Sequence, residues 1–171
     1  PAAIQAFQKA VNFSPQSAAP RFLLGKAYLQ SGENDKALAS TTEGIKLSPD
    51  SVSGRIIHAT ALRKNGKTLQ ARKVLEVGLE KDPEQIELLN QLGLACRDAG
   101  DNKCALVQFE KALKIKPEHY PSRLNAFYTY IDARRYDEAE RHLKALEGLK
   151  MPEEEKETAR TYFKLARFLG T

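Results

Sequence analysis

The sequence predicts an all-α protein built as a stack of antiparallel helix pairs, and three observations predict it. Pro15, Pro49, Pro83 and Pro117 recur every 34 residues. Gly32, Gly66 and Gly100 keep the same interval, as do the small residues Ala3, Ala37, Ala71, Ala105 and Ala139. Between these marks the apolar residues fall at helical spacing: Phe22, Leu23, Leu24, Ala27, Tyr28 and Leu29 form one band, and Lys36 to Leu47 a second amphipathic stretch. A fixed period of 20–50 residues marks a stacked array and not a single closed unit.

Within one unit, SGEND supplies a turn, with Gly32 free to adopt the left-handed conformation that ends a helix. Ser48-Pro49-Asp50 stops the second helix, because proline cannot continue a helix but can open the next. Gly25, Ala59 and Gly93 in the first helices face Ala37, Ala71 and Ala105 in the second, where small side chains let two backbones approach. With these features in place the chain resembles the tetratricopeptide repeat. LLGKAYLQSGENDKAL and QLGLACRDAGDNKCALVQFEKALKIKP match that pattern closely. The resemblance covers nearly the whole chain and implies one solenoid over residues 1–171, a right-handed superhelix of helix pairs whose first helices line a concave surface.

Taken in order, residues 1–17 read as the second helix of a partial repeat, with Ala3, Phe7, Ala10 and Pro15 in register. Full repeats follow over 18–51, 52–85, 86–119 and 120–151. The fourth departs from the pattern: Phe127 stands where the first helix needs a small residue, and Arg134 replaces the turn glycine, so this unit is expected to pack less regularly. His58 takes a leucine place, and Arg21, Arg55 and Arg123 take places where an aromatic is frequent. Residues 152–171 form a terminal helix, a cap or the first helix of a further repeat, with Tyr162, Leu165, Ala166 and Leu169 in signature places. Opening on Pro1 and cut within a repeat at both ends, the chain reads as part of a longer solenoid, or as one that self-associates through its uncapped ends.

Composition narrows the function. Lys and Arg number 27 against 22 Asp and Glu, a net charge of +5, and the two signs interleave along the helices. A nucleic-acid binder concentrates its charge in a stripe, so no nucleic-acid partner is expected. No apolar run reaches the roughly 18 residues of a membrane span, so direct membrane insertion is not expected either. Cys96 and Cys104 lie eight apart with no zinc spacing. They read as buried free thiols, which favours the cytoplasm over the periplasm; a disulfide between adjacent helices requires an oxidising compartment. His58, His119 and His142 belong to no catalytic motif, and there is no phosphate-cradling glycine loop. No enzymatic activity, metal or cofactor is expected.

Positions 2, 5, 9 and 12 of each unit share one helix face. The resulting candidate groove comprises Phe22, Lys26 and Leu29; Ile56, Thr60 and Arg63; Asn90, Leu94 and Arg97; and Leu124, Tyr128 and Ile131. Phe22, Ile56, Leu94, Leu124 and Tyr128 make an apolar strip, rimmed by Lys26, Arg63, Lys64 and Arg97. Such a surface predicts a non-enzymatic scaffold for a partner peptide or helix with apolar anchors and acidic residues. Family members that grip chaperone C-terminal carboxylates carry Lys at position 5 and Asn at position 9; here those positions hold Phe22, Ile56, Asn90, Leu124 and Lys26, Thr60, Leu94, Tyr128, so that clamp is lacking. Two alternatives stand beside the scaffold: a regulatory or targeting arm of a larger enzyme, and a helical-repeat RNA binder.

Overall fold

The helix starts Ala18, Val52, Ile86 and Tyr120 repeat the 34-residue beat of the prolines. The computed structural model describes residues 2–170, which form ten α-helices and no strand among the described residues. In chain order these are α1 (Ala2–Phe13), α2 (Ala18–Gln30), α3 (Asn34–Leu47), α4 (Val52–Lys64), α5 (Thr68–Lys81), α6 (Ile86–Asp98), α7 (Asn102–Ile115), α8 (Tyr120–Asp132), α9 (Tyr136–Glu147) and α10 (Glu153–Gly170). They fall into two compact units, one up to Pro83 and one from Glu84.

Each hairpin turn closes in the same way. Gly32, Gly66 and Gly100 sit at φ +78°, +69° and +78°. The following amide then donates to a carbonyl five residues back: Glu33 to Tyr28, Lys67 to Leu62 and Asp101 to Cys96, each at 2.9 Å. Arg134 makes the fourth such turn without glycine, at φ +56°, and Arg135 N–H donates to Tyr130 O at 2.8 Å. A side chain costs about 1–2 kcal/mol in that region.

In the first unit, α1 packs on α2, α2 on α3, and α4 bridges α3 and α5. Leu24, Tyr28, Ala37 and Ala61 form a buried cluster, closed on one side by Ile4, Phe7 and Val11 of α1. Gln8 Nε2 donates to the Tyr28 hydroxyl at 2.9 Å. The residues that break the repeat pattern find structural partners here. Arg55 is buried, and its guanidinium donates to Pro49 O at 2.6 Å and Val74 O at 2.9 Å. The charge so satisfied replaces the packing of an aromatic ring. His58 Nδ1 lies 3.0 Å from the Thr41 hydroxyl, which itself donates to Ala37 O at 2.9 Å. Burial, then the charge of Arg55, holds this imidazole below its ordinary pKa.

The second unit stacks α6, α7, α8 and α9, with α10 against α9. Phe109 and Phe127 are among its fully buried side chains. The Phe109 ring fills the space beside Gly93, where an added methyl would stand 2.4 Å from it. In the fourth hairpin Phe127 occupies the place of that glycine, and α8 meets α9 less extensively than α6 meets α7. Phe163 of α10 is buried against Phe127 at 6.2 Å between ring centres. Arg160 ties α10 to the end of α9 through Glu147, and also pairs with Glu153 and Glu157 at 3.1 and 3.0 Å.

The cysteine reading is corrected. Cys96 of α6 and Cys104 of α7 form a disulfide across the hairpin, with Cα atoms 5.7 Å apart. Eight residues of helix, turn and helix bring them face to face, and free thiols no longer speak for a cytoplasmic location.

Candidate peptide-binding surface

In the first unit α2 and α4 lie side by side. Lys26 and Leu29 from α2, with Ile56 and Thr60 from α4, line a cleft of about 360 Å³, joined by Ser53 and Ile57. The spacing explains the meeting. Lys26 and Leu29 are three apart on one helix, and Ile56 and Thr60 four apart on the next, so each pair shares a face. The walls are Leu29, Ile56 and Ile57, all half-buried, while Lys26 stands exposed at the edge. No acidic side chain pairs with Lys26 among the described residues. The Thr60 hydroxyl donates to Ile56 O at 2.9 Å. The cleft is thus an aliphatic slot with one cation at its mouth. It suits one branched side chain and a neighbouring carboxylate.

Phe22 does not belong to this surface. Only 6% of it is exposed. Its ring is wedged between α3 and α4, where Gly44 and Gly54 leave room: a methyl group on Gly54 would stand 2.2 Å from the ring and one on Gly44 2.6 Å. Two glycines in neighbouring helices were the signal that this position points into the core. Arg63 is half-buried and is not among the residues lining the cleft.

In the second unit the expected strip divides. Leu94, Arg97, Leu124 and Tyr128 are half-buried, but Asn90 and Ile131 are core residues. The Asn90 carboxamide oxygen accepts from Ser122 Oγ at 3.2 Å and from Asn125 Nδ2 at 3.0 Å, which fastens α6 to α8. A buried amide so engaged has little left to offer a ligand. The Tyr128 ring meets Tyr162 of α10 edge to face at 5.3 Å. Burial and then the nearby Tyr162 raise the Tyr128 pKa. The terminal helix therefore covers part of the surface that Tyr128 was expected to present.

A larger cavity, about 550 Å³, lies in the same unit on α7 and the α8–α9 turn. Its lining includes Leu106, Val107 and Tyr130, none of which belongs to the first-helix pattern of a groove. In the sequence Val107 looks like a single apolar residue on a charged helix face, so nothing local marks it.

Several known proteins are similar to this chain. A family profile described as "Psidin, N-terminal TPR repeats region" matches residues 27–158. Protein FlbA of Caulobacter vibrioides is 31% identical over 84 residues, 49% of this chain, and the chain spans only 14% of that protein's length. Among solved structures, the thermophilic TPR protein TTC0263 of Thermus thermophilus superposes with a TM-score of 0.79 at 22% identity, covering 96% of this chain and 89% of that one. YrrB, described as a TPR protein with an unusual peptide-binding site, gives 0.68 at 18% identity over 92% of this chain and 81% of that one. The human IFIT1 dimer with m7Gppp-AAAA gives 0.77 at 20% identity over 91% of this chain and 38% of that one. At these identities the structural likeness is one of fold.

Proposed function

Because the chain belongs to the tetratricopeptide-repeat family represented by the Psidin N-terminal TPR repeats region, a fold typical of protein-interaction scaffolds, we propose that it is a non-enzymatic scaffold capturing a segment of a partner protein between α2 and α4. The observation that carries this reading is the cleft lined by Lys26, Leu29, Ile56 and Thr60. A leucine or isoleucine of the partner enters the slot, and an aspartate or glutamate beside it meets Lys26. Burying one or two such side chains contributes about 2–5 kcal/mol gross, and ordering the peptide takes part of it back, so the slot alone gives about millimolar affinity and tighter capture needs further contacts along α2 and α4. The reading holds whether the array acts alone or as an arm of a larger protein such as the relative FlbA.

YrrB is described as having a peptide-binding site, which agrees with this choice, whereas the IFIT1 structure holds a capped RNA. The chemistry of the cleft favours the peptide. Its walls are aliphatic, and no aromatic face lines it for a base to stack on. Selection of a phage-displayed peptide library on the protein tests the reading. Enriched peptides should pair an aliphatic residue with an acidic one, and Ile56→Glu or Lys26→Glu should weaken their binding by about tenfold or more. If none of the enriched peptides is weakened by Ile56→Glu or Lys26→Glu, the reading is contradicted.

A further inference from the structure

The 550 Å³ cavity of the second unit has a composition of its own. Its floor is apolar: Leu106 and Val107 of α7, Tyr130 of α8 and Ala133 at the following turn. Val107 is 46% exposed, an aliphatic side chain in the middle of an otherwise charged face. Lys103, Lys111 and Lys114 surround it on the same helix at offsets of four, four and three, so all four residues share one side of α7. The three lysines are exposed, and none is ion-paired or hydrogen-bonded among the described residues. Some exposed lysines elsewhere on this chain are met by acids, as Lys36 is by Glu33, Lys46 by Glu43 and Lys144 by Glu140, whereas here three unpaired ones share a single helix face.

The acid within the cavity is already engaged. Glu110 accepts from the Tyr130 hydroxyl at 3.0 Å, and His142 Nε2 lies 3.2 Å from the same oxygen. The hydrogen bond from His142 holds Glu110 below the usual carboxylate range despite its partial burial. Burial, with Glu110 beside it, pushes Tyr130 up to about 12. Glu110 is thus committed to Tyr130 and His142 and pairs with none of the three lysines. Arg135 lies over the Tyr130 ring at 4.8 Å and pairs with Glu138, so it closes one wall and leaves no open aromatic face.

We propose that this cavity is a second docking site, for an acidic peptide segment of a partner protein that seats one aliphatic side chain on Leu106 and Val107 and pairs its carboxylates with Lys103, Lys111 and Lys114. Eleven residues of helix separate the outer lysines, about 16 Å, which an extended peptide spans in about five residues. The segment therefore carries acids on both sides of a central aliphatic residue. A nucleic acid suits the site less well. The Tyr130 face is covered by Arg135, and no other aromatic side chain lines the cavity for a base to stack on.

The probe is a fluorescein-labelled peptide, Glu-Glu-photoleucine-Glu-Glu, titrated against the whole chain. The site predicts crosslinks to α7 around Val107 and to the α8–α9 turn. The triple variant Lys103→Glu, Lys111→Glu, Lys114→Glu should lose at least tenfold in affinity with an unchanged helical spectrum, while Lys73→Glu on α5 should bind as the parent does. A peptide with serine at the centre should bind several-fold more weakly. Crosslinks confined to α2 and α4, equal affinity in the triple variant, or equal affinity for the serine peptide each overturn the proposal. Oligothymidylate that displaces the peptide at lower concentration overturns it in favour of a nucleic-acid occupant.

Discussion

At the scale of single residues, one position in a repeat can face two ways. Phe22, Ile56, Asn90 and Leu124 share position 5, yet Phe22 and Asn90 are buried while Ile56 and Leu124 are half-exposed. The neighbours decide. Phe22 enters the slot left by Gly44 and Gly54, and Asn90 finds Ser122 and Asn125 one repeat on. Periodicity makes the face legible, but the depth at which a side chain sits depends on residues distant in sequence. Phe22→Ala is accordingly a core deletion and should cost about 3–5 kcal/mol in chemical denaturation. A loss below about 1 kcal/mol would return Phe22 to the surface. His58 gives a second prediction. Its folded pKa lies below the ordinary 6.5 because burial disfavours the charged ring. Below about pH 6.5 the unfolded chain binds the proton more readily, so stability is full above that pH and falls as the solution is acidified. His119 is shifted the same way, also by burial. His58→Leu should flatten part of the decline in melting temperature between about pH 7 and 5.5, because Thr41 keeps its bond to Ala37. An unchanged decline would mean that His58 does not contribute to it.

Helices and turns were the most legible elements. Glycine and proline constrain the backbone locally, so Gly32, Gly66 and Gly100 mark the ends of α2, α4 and α6 without reference to anything distant. The turn after α8 is the exception that explains the rule. Arg134 is forced to φ +56° by the packing of the helices it joins, at a cost that glycine would avoid. Arg134→Gly should therefore raise stability by about 0.5–1 kcal/mol, the steric relief being offset in part by the extra freedom of glycine when unfolded. Thermal melts of the two proteins decide it, and a destabilised variant would show that Arg134 makes interactions worth more than its strain. The disulfide between α6 and α7 was less legible. The spacing of Cys96 and Cys104 permits free thiols as readily as a bond, and only the hairpin's register sets the Cα atoms 5.7 Å apart.

For the molecule as a whole, the repeat gives an all-helical framework from residues 2–170, and function rests on which helix faces that framework leaves open. Four of the twelve expected groove residues, Lys26, Leu29, Ile56 and Thr60, line one cleft. Tyr128 is met by α10, and Phe22, Asn90 and Ile131 serve the core. The cleft was legible because its residues repeat at offsets that a helix places on one side. The cavity on α7 was not, because it depends on how the turn after α8 meets a different helix. The two sites lie in separate units and predict separable losses: Ile56→Glu acts on the first, reversal of the three α7 lysines on the second. The most direct test is an NMR titration of the isotope-labelled protein with a peptide enriched by selection. The shifts should concentrate at Lys26, Leu29, Ile56 and Thr60, and Ile56→Glu should abolish them. Shifts that leave α2 and α4 untouched with every enriched peptide would contradict the account.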